Sequence, residues 1–238
     1  MTRTLDWDGC FNARDLGGLP LEDGGETRFG ALVRADNVRK LSDEGWRSLE
    51  AHGIRRIVDL RWPEELAQDP PRDVALDVVH VSLFGAYDPA FRDDVEEYMA
   101  VNDAVGYWAA SYTATLEAHG PEAALVLAAV ADADGPVCFH CAGGKDRTGI
   151  VSALVLRLTG VPAHEVGADY ALSAGLLARA PRDGQDSPRT AFMRQTPAEA
   201  MERTIERLEH AHGSVAGYLR SVGLDGGRIE RLRDRLRP

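Results

Sequence analysis

The chain has 238 residues, 44% of them hydrophobic and 27% charged, the profile of a folded globular protein rather than of a fibrous or disordered one. Against 38 acidic side chains there are 27 basic ones, a net charge of −11. Such a balance repels duplex nucleic acid and anionic membranes at long range, yet it leaves room for an anionic substrate in a locally positive pocket. No apolar run approaches the roughly eighteen residues a spanning helix needs, and the N-terminal MTRTLDWDGCFNARDLGG lacks the apolar stretch of a secretory leader. The expectation is a cytoplasmic protein that neither inserts in a membrane nor binds nucleic acid. Three cysteines, Cys10, Cys138 and Cys141, are too few and odd in number for a disulfide scaffold, so they read as reduced thiols.

In chain order, the first thirty residues are glycine-rich turns around short strands, and Gly30 to Asp36 reads as a strand. LSDEGWRSLEAHG reads as a helix with Ser42 as N-cap, Leu41 and Trp46 at staple spacing, and Gly53 as its stop. Ile54 to Leu60, Val78 to Leu83 and Pro136 to His140 read as strands, the last after a helical stretch. The apolar spacing of GIVSALVLRLTG predicts a helix closed by Gly160, and another extends from Ala163. TPAEAMERTIERLEHAHG suggests a capping box with Thr196 as N-cap and Pro197 at the first position, and Ile229, Leu232 and Leu236 share one side of the last helix. Alternating strands and helices predict an α/β fold, a central, mostly parallel sheet flanked by helices. One domain over 1–238 is expected, with a helical, lid-like insertion at 84–112 and C-terminal helices over 197–238.

The chemistry concentrates in VCFHCAGGKDRTGIV. A strand ends at His140, a short loop follows, and a helix begins near Arg147 to Gly149. Amides of such a loop, with the positive end of the helix, form an anion site. Amides and cations around Cys141 favour its thiolate. Arg147 has the planar fork that matches two phosphate oxygens. Ala142, Gly143, Gly144, Lys145 and Thr148 complete the loop: the glycines for close approach and positive φ, Lys145 as a point charge facing loop or solvent, Thr148 as a hydroxyl donor to the sulfur. A thiolate beneath a bound tetrahedral anion is an in-line nucleophile, which predicts a cysteinyl-phosphate intermediate and its hydrolysis by water. A glycine-rich turn with a merely buried cysteine is the competing interpretation.

These residues resemble the protein tyrosine phosphatase superfamily, whose signature is HCxxxxxR followed by Ser or Thr. HCAGGKDRTG together with FNARDLGG, IVDLR and DYALS is similar to the bacterial atypical branch of tyrosine and dual-specificity phosphatases, over about Asn12 to Ser173. The resemblance implies phosphomonoester hydrolysis without metal or other cofactor. It also points to Asp146, inside the loop, as the general acid that protonates the leaving oxygen, as do myotubularin-like lipid phosphatases with an Asp at this position. Asp59, at a strand end, is the next candidate, its alternative being a buried partner of Arg61 or Arg147. Asp103 lies where a conventional acid loop would, but in a segment that reads as helix. RWPEE (Arg61 to Glu65) resembles the conventional acid-loop tripeptide, yet it stands too early in the chain and is discounted. His140 is expected to bond backbone and hold the loop. Asn12, Arg14 and Asp15 either brace the loop from beneath or form a local Asx turn. Cys138 reads as core, and a disulfide between Cys10 and Cys141 is a minor alternative.

Substrate choice points to 84–112, which holds seven of the 16 aromatic residues: Phe84, Tyr87, Phe91, Tyr98, Tyr107, Trp108 and Tyr112. They either pack into their own core or line a lid. Asp88, Asp93, Asp94, Glu96, Glu97 and Asp103 face one base there, Arg92, which disfavours polyanionic lipids and acidic peptides. Arg179, Arg182, Arg189 and Arg194, against Asp183 and Asp186, form either a second anion contact or an exposed basic loop. The partner is thus a phosphomonoester, on phosphotyrosine protein or on a small metabolite such as a nucleoside or sugar phosphate. A non-catalytic phosphate binder is the contrasting class, weakened by the presence of a nucleophile, and sulfur transfer is more distant.

Overall fold

The computed structural model describes residues 2–83, 95–181 and 187–238. Five strands form one sheet: β1 (Arg14–Asp15), β2 (Leu32–Ala35), β3 (Arg56–Asp59), β4 (Asp77–His80) and β5 (Val137–His140), in the order β1-β2-β5-β3-β4. Only the β1–β2 pairing is antiparallel. The other pairings are parallel, so the α/β architecture expected from the alternating pattern is present. Successive strand residues face opposite sides of a sheet, and the two faces here bury different cores. Leu32, Val58, Val137 and Phe139 face the larger core, while Val33, Ala35, Ile57 and Cys138 face the smaller one.

The smaller core is covered by α1 (Asp43–Ala51) through Trp46 and Leu49, with Trp7 and Leu41. Ser42 caps α1 by accepting from the Gly45 amide at 3.2 Å, as its sequence position predicts. Beyond β3 comes the short α2 (Pro63–Gln68). On the larger core pack α4 (Ala104–Ala118), α5 (Gly120–Ala131), α6 (Asp146–Thr159), α7 (Ala163–Leu177), α9 (Ala198–His212), α10 (Val215–Ser221) and α11 (Gly226–Leu236). The short α3 (Val95–Ala100) precedes α4, and the short α8 (Pro188–Met193) stands between α7 and α9 in sequence. Of these, α6 is buried on nearly every side and ends at Gly160 with φ 107°, the left-handed stop its glycine permits. Ile229, Leu232 and Leu236 of α11 are fully buried, each worth roughly 1.5–3 kcal/mol of transfer from water. No helix among the described residues is long and apolar enough to cross a membrane.

One expectation changes. Helix α9 starts one residue later than its capping box implies, with Pro197 at the N-cap. The Thr196 hydroxyl serves α7 instead, accepting from the Ala174 amide at 3.2 Å and donating to the Ala171 carbonyl at 3.0 Å. In the aromatic stretch, Tyr107, Trp108 and Tyr112 of α4 are buried in the larger core, and Tyr98 of α3 packs against it. Phe84, Tyr87, Phe91, Asp88, Arg92, Asp93 and Asp94 lie outside the described residues, as do Arg182, Asp183 and Asp186.

Candidate active site

The chain leaves β5 at His140, turns through Cys141–Lys145 and enters α6 at Asp146. Because β5 lies between β2 and β3, with His140 beside both Ala35 and Asp59, three parallel strands end together at this edge. That edge is where open α/β sheets form their ligand crevice. Cys141 is buried at the head of the loop, and Arg147 stands in the first turn of α6. Gly144 has φ 62°, and a Cβ there would stand 2.6 Å from the Ala35 carbonyl oxygen and the Asp36 nitrogen, so only glycine fits. Gly143 needs neither concession: its φ is ordinary, and a Cβ would meet nothing within 4 Å.

The loop is held by its carbonyls. Ala142 O accepts from the Asn37 amide at 3.3 Å, and the Asn12 side-chain amide donates to both Gly143 O and Gly144 O at 3.0 Å. Arg34 Nη2 donates to Gly144 O at 2.8 Å. Three consecutive loop carbonyls, those of Ala142, Gly143 and Gly144, are thus held by Asn37, Asn12 and Arg34. Asn12 is in turn fixed by Arg14, whose Nη1 donates to Asn12 Oδ1 at 2.6 Å. Arg14 and Arg34 are fully buried and converge on Asp169 of α7, at 3.0 and 2.7 Å, joined by the partly exposed Arg3. Burial alone would raise the Asp169 carboxyl, but the three guanidiniums outweigh it and hold it far below the usual carboxylate range. Arg34, lowered by burial and by Arg14 to about 10, keeps its charge at neutral pH. Three cations against one carboxylate leave positive charge directly beneath the loop. Asn12 and Arg14 therefore brace the loop, while Asp15 accepts from the Gly17 and Gly30 amides in a separate turn.

Above the loop, Glu65 of α2 takes both arms of the Arg147 guanidinium, Oε1 accepting from Nη2 at 3.0 Å and Oε2 from Nη1. The Trp62 ring lies 4.5 Å beneath the Arg147 Cζ, and Glu65 Oε2 also accepts from the Trp62 amide at 2.7 Å. Burial disfavours charge on Glu65, but Arg147 holds its carboxyl below the ordinary range. Within RWPEE, Glu65 is thus the carboxylate paired with Arg147, a placement its sequence position did not reveal.

Asp59 is buried and gripped by both arms of Arg61, at 3.0 and 2.7 Å, the buried pairing that stood as its alternative. His140 contacts the Cys141 carbonyl through Nδ1 at 3.4 Å, the backbone role expected of it. Asp103 caps α4 by accepting from the Gly106 amide at 2.7 Å. Lys145 points neither into the loop nor to solvent: its Nζ donates to the Met193 carbonyl at 2.6 Å and sits 3.6 Å over the Trp108 ring, where burial lowers its basicity. The Thr148 hydroxyl is buried without a hydrogen-bond partner among the described residues. Asp146 is about a third exposed, and its Oδ1 accepts from the Tyr112 hydroxyl at 2.5 Å with Lys145 Nζ 3.4 Å away.

Beside Asp146 lies a recess of about 510 Å³, reached by Gly143 and Lys145 on the loop side. Its walls are mostly aliphatic, from Leu177, Ala178, Ala191 and Met193, with Arg194 at its lining. Arg179 donates to the Phe11 carbonyl at 3.3 Å, and Arg189 pairs with Glu96. All three cysteines are free thiols, and burial pushes those of Cys10 and Cys138 well up. Among the described residues, no group of three or more His, Cys, Asp or Glu side chains is placed to hold a metal ion.

A cysteine at the head of a strand-to-helix loop and an arginine six positions on, at the start of the helix, is the arrangement of the cysteine-dependent phosphatases. The model of the tyrosine phosphatase family matches residues 5–238, and the chain belongs to that family. It is 33% identical over 224 residues to a tyrosine-protein phosphatase of Nostoc commune, covering 87% of this chain and 74% of that one. It is 27% identical over 268 residues to the triple specificity protein phosphatase PtpB of Mycobacterium tuberculosis, covering 94% and 96%. The protein is accordingly a phosphatase with a phosphorylated substrate.

Proposed function

We propose that this chain hydrolyses phosphomonoesters through a cysteinyl-phosphate intermediate, with Cys141 as nucleophile, Arg147 as phosphate clamp and Asp146 as general acid. The observation that carries the proposal is Cys141 at the head of a loop whose carbonyls are held by Asn12, Arg34 and Asn37, with the Arg147 fork, itself held by Glu65 and Trp62, near enough to interact with the Cys141 charge. The Cys141 thiolate attacks phosphorus, an S–P bond forms, and the P–O bond to the leaving group breaks. The proton of the Asp146 carboxylic acid passes to the leaving oxygen. Water then attacks phosphorus and gives a proton to the Asp146 carboxylate, and the S–P bond breaks to release inorganic phosphate and the thiolate. Thr148, buried and unpartnered among the described residues, is suited to donate toward the sulfur. Ala142 to Lys145 supply amides to the phosphate oxygens.

The substrate we favour is phosphotyrosine on protein, acted on in the cytoplasm. Relatives named as tyrosine-protein and triple specificity protein phosphatases support it, as does the aliphatic recess beside Asp146, which suits a ring better than a sugar hydroxyl. A compact metabolite monophosphate is the second reading, favoured by the net charge of −11 and the acidic 88–103 segment, which oppose acidic peptides. Hydrolysis of a chromogenic aryl phosphate in the presence of chelator is the first test, and activity that vanishes with chelator contradicts the metal-free route. Side-by-side rates on phosphotyrosine peptides, nucleoside monophosphates and sugar phosphates decide between the two substrate classes.

A further inference from the structure

The general acid does not stand alone. Asp146 Oδ1 accepts from the Tyr112 hydroxyl at 2.5 Å, and the Tyr112 oxygen lies 2.6 Å from the Tyr170 hydroxyl. A phenol has one proton to give. With that of Tyr112 directed at Asp146, Tyr170 must donate into the Tyr112 oxygen, so the chain runs from Tyr170 to Tyr112 to Asp146. Both rings are buried, and they meet edge to face at 5.8 Å. Tyr112 also stacks on Trp108 at 5.4 Å. Burial, then the neighbouring carboxylate, pushes both phenols well above their ordinary range, so both remain protonated donors across the working pH range.

The space for this chain is built into motifs that phosphate binding leaves unexplained. A Cβ on Gly149, the glycine after Arg147-Thr148, would stand 3.1 Å from the Tyr170 ring. Tyr170 itself follows Asp169, the carboxylate that ties Arg14 and Arg34 to α7. Among the described residues no donor reaches the other Asp146 oxygen. Occupying one oxygen from a rigid, buried ring fixes the carboxyl plane and leaves the second oxygen to carry the proton outward.

We infer that Tyr112 is a positioning residue for the general acid: through its bond to Asp146, buttressed by Tyr170 in the space left by Gly149, it orients the carboxyl toward the leaving group. The inference rests on the reading of Asp146 as the acid, and the test separates the two. Let kcat/KM be measured on substituted aryl phosphates of graded leaving-group acidity for wild type, Asp146→Asn, Tyr112→Phe and the double variant. Asp146→Asn should steepen the dependence on leaving group; if it does not, the reading of Asp146 fails and the inference with it. Given that steepening, Tyr112→Phe should lose about tenfold on the poorest leaving group and less than about twofold on the best. The double variant should be no slower than Asp146→Asn alone. Equal losses by Tyr112→Phe on all substrates, no loss at all, or additivity in the double variant overturn the inference while leaving Asp146 as the acid. Should Tyr112→Phe fail to fold by circular dichroism, Tyr170→Phe decides. It should give the same leaving-group-dependent loss, smaller in size, and a uniform loss or none overturns the inference.

Discussion

Asn12 reaches across 132 positions of chain to donate its side-chain amide to the Gly144 carbonyl, and the same nitrogen serves Gly143, both at 3.0 Å. A glycine-rich N-terminal turn thereby sets the shape of the phosphate loop. Asn12→Ala leaves the Gly143 carbonyl and Arg14 Nη1 short of partners, while the Gly144 carbonyl keeps Arg34, and a group orphaned in this way costs about 1–3 kcal/mol. The expected outcome is a lower urea midpoint together with weaker competitive inhibition by inorganic phosphate. An unchanged phosphate inhibition constant counts against the bracing role.

Gly143 and Gly144 are adjacent and identical in type, yet their substitutions should diverge. Gly144→Ala forces a Cβ to within 2.6 Å of backbone at positive φ, so the loop must move. A displacement near 1 Å in a catalytic loop costs on the order of a hundredfold in rate. Gly143→Ala, with open space around its Cβ, should stay within about twofold of wild type. Steady-state rates on an aryl phosphate compare the two.

Glu65 is partly exposed while Arg147 is almost buried, so the pair can be broken without opening the core. Glu65→Gln should weaken vanadate binding and lower kcat/KM by on the order of tenfold or more, with the melting temperature little changed. A variant that keeps full vanadate affinity would show that Arg147 is aimed by other contacts.

Asp169 carries the largest stability prediction. Its replacement by Asn leaves two fully buried guanidiniums without their carboxylate, a loss of about 3–5 kcal/mol. Because the folded-state carboxyl is held far below its unfolded value, its contribution is complete above the unfolded pKa of about 3.9 and is lost as pH falls below that toward the folded value. The gap in urea midpoint between wild type and Asp169→Asn should therefore be constant from pH 7 to 5 and narrow below about pH 4. A gap that does not depend on pH would mean that packing, not charge, sets the loss.

The elements and the phosphate loop were legible because their signals are local: β-branched runs, a Ser cap at Ser42, a glycine stop at Gly160 and the unbroken HCAGGKDRTG string. Glu65 was not legible from spacing, since it stands 82 positions before Arg147. It reaches Arg147 because β3 and β5 are parallel neighbours in register, Asp59 beside His140, so residues just past β3 face residues just past β5. Arg34 offered a quieter signal. An arginine inside the buried run LVRA demands a carboxylate, and only the folded chain shows that Asp169 supplies it. Thr196 misled for the reverse reason: its hydroxyl found partners in α7 before it could cap α9. Lys145 likewise was drawn over the Trp108 ring by a carbonyl that no local pattern announces.

The covalent step is tested most directly by rapid acid quench during turnover of a ³²P-labelled aryl phosphate in chelator, followed by peptide mapping. One phosphate is expected as an S–P linked cysteinyl phosphate on the peptide carrying Cys141, absent from Cys141→Ser, which should have lost turnover altogether. Label on any other residue, or continued turnover by Cys141→Ser, contradicts it.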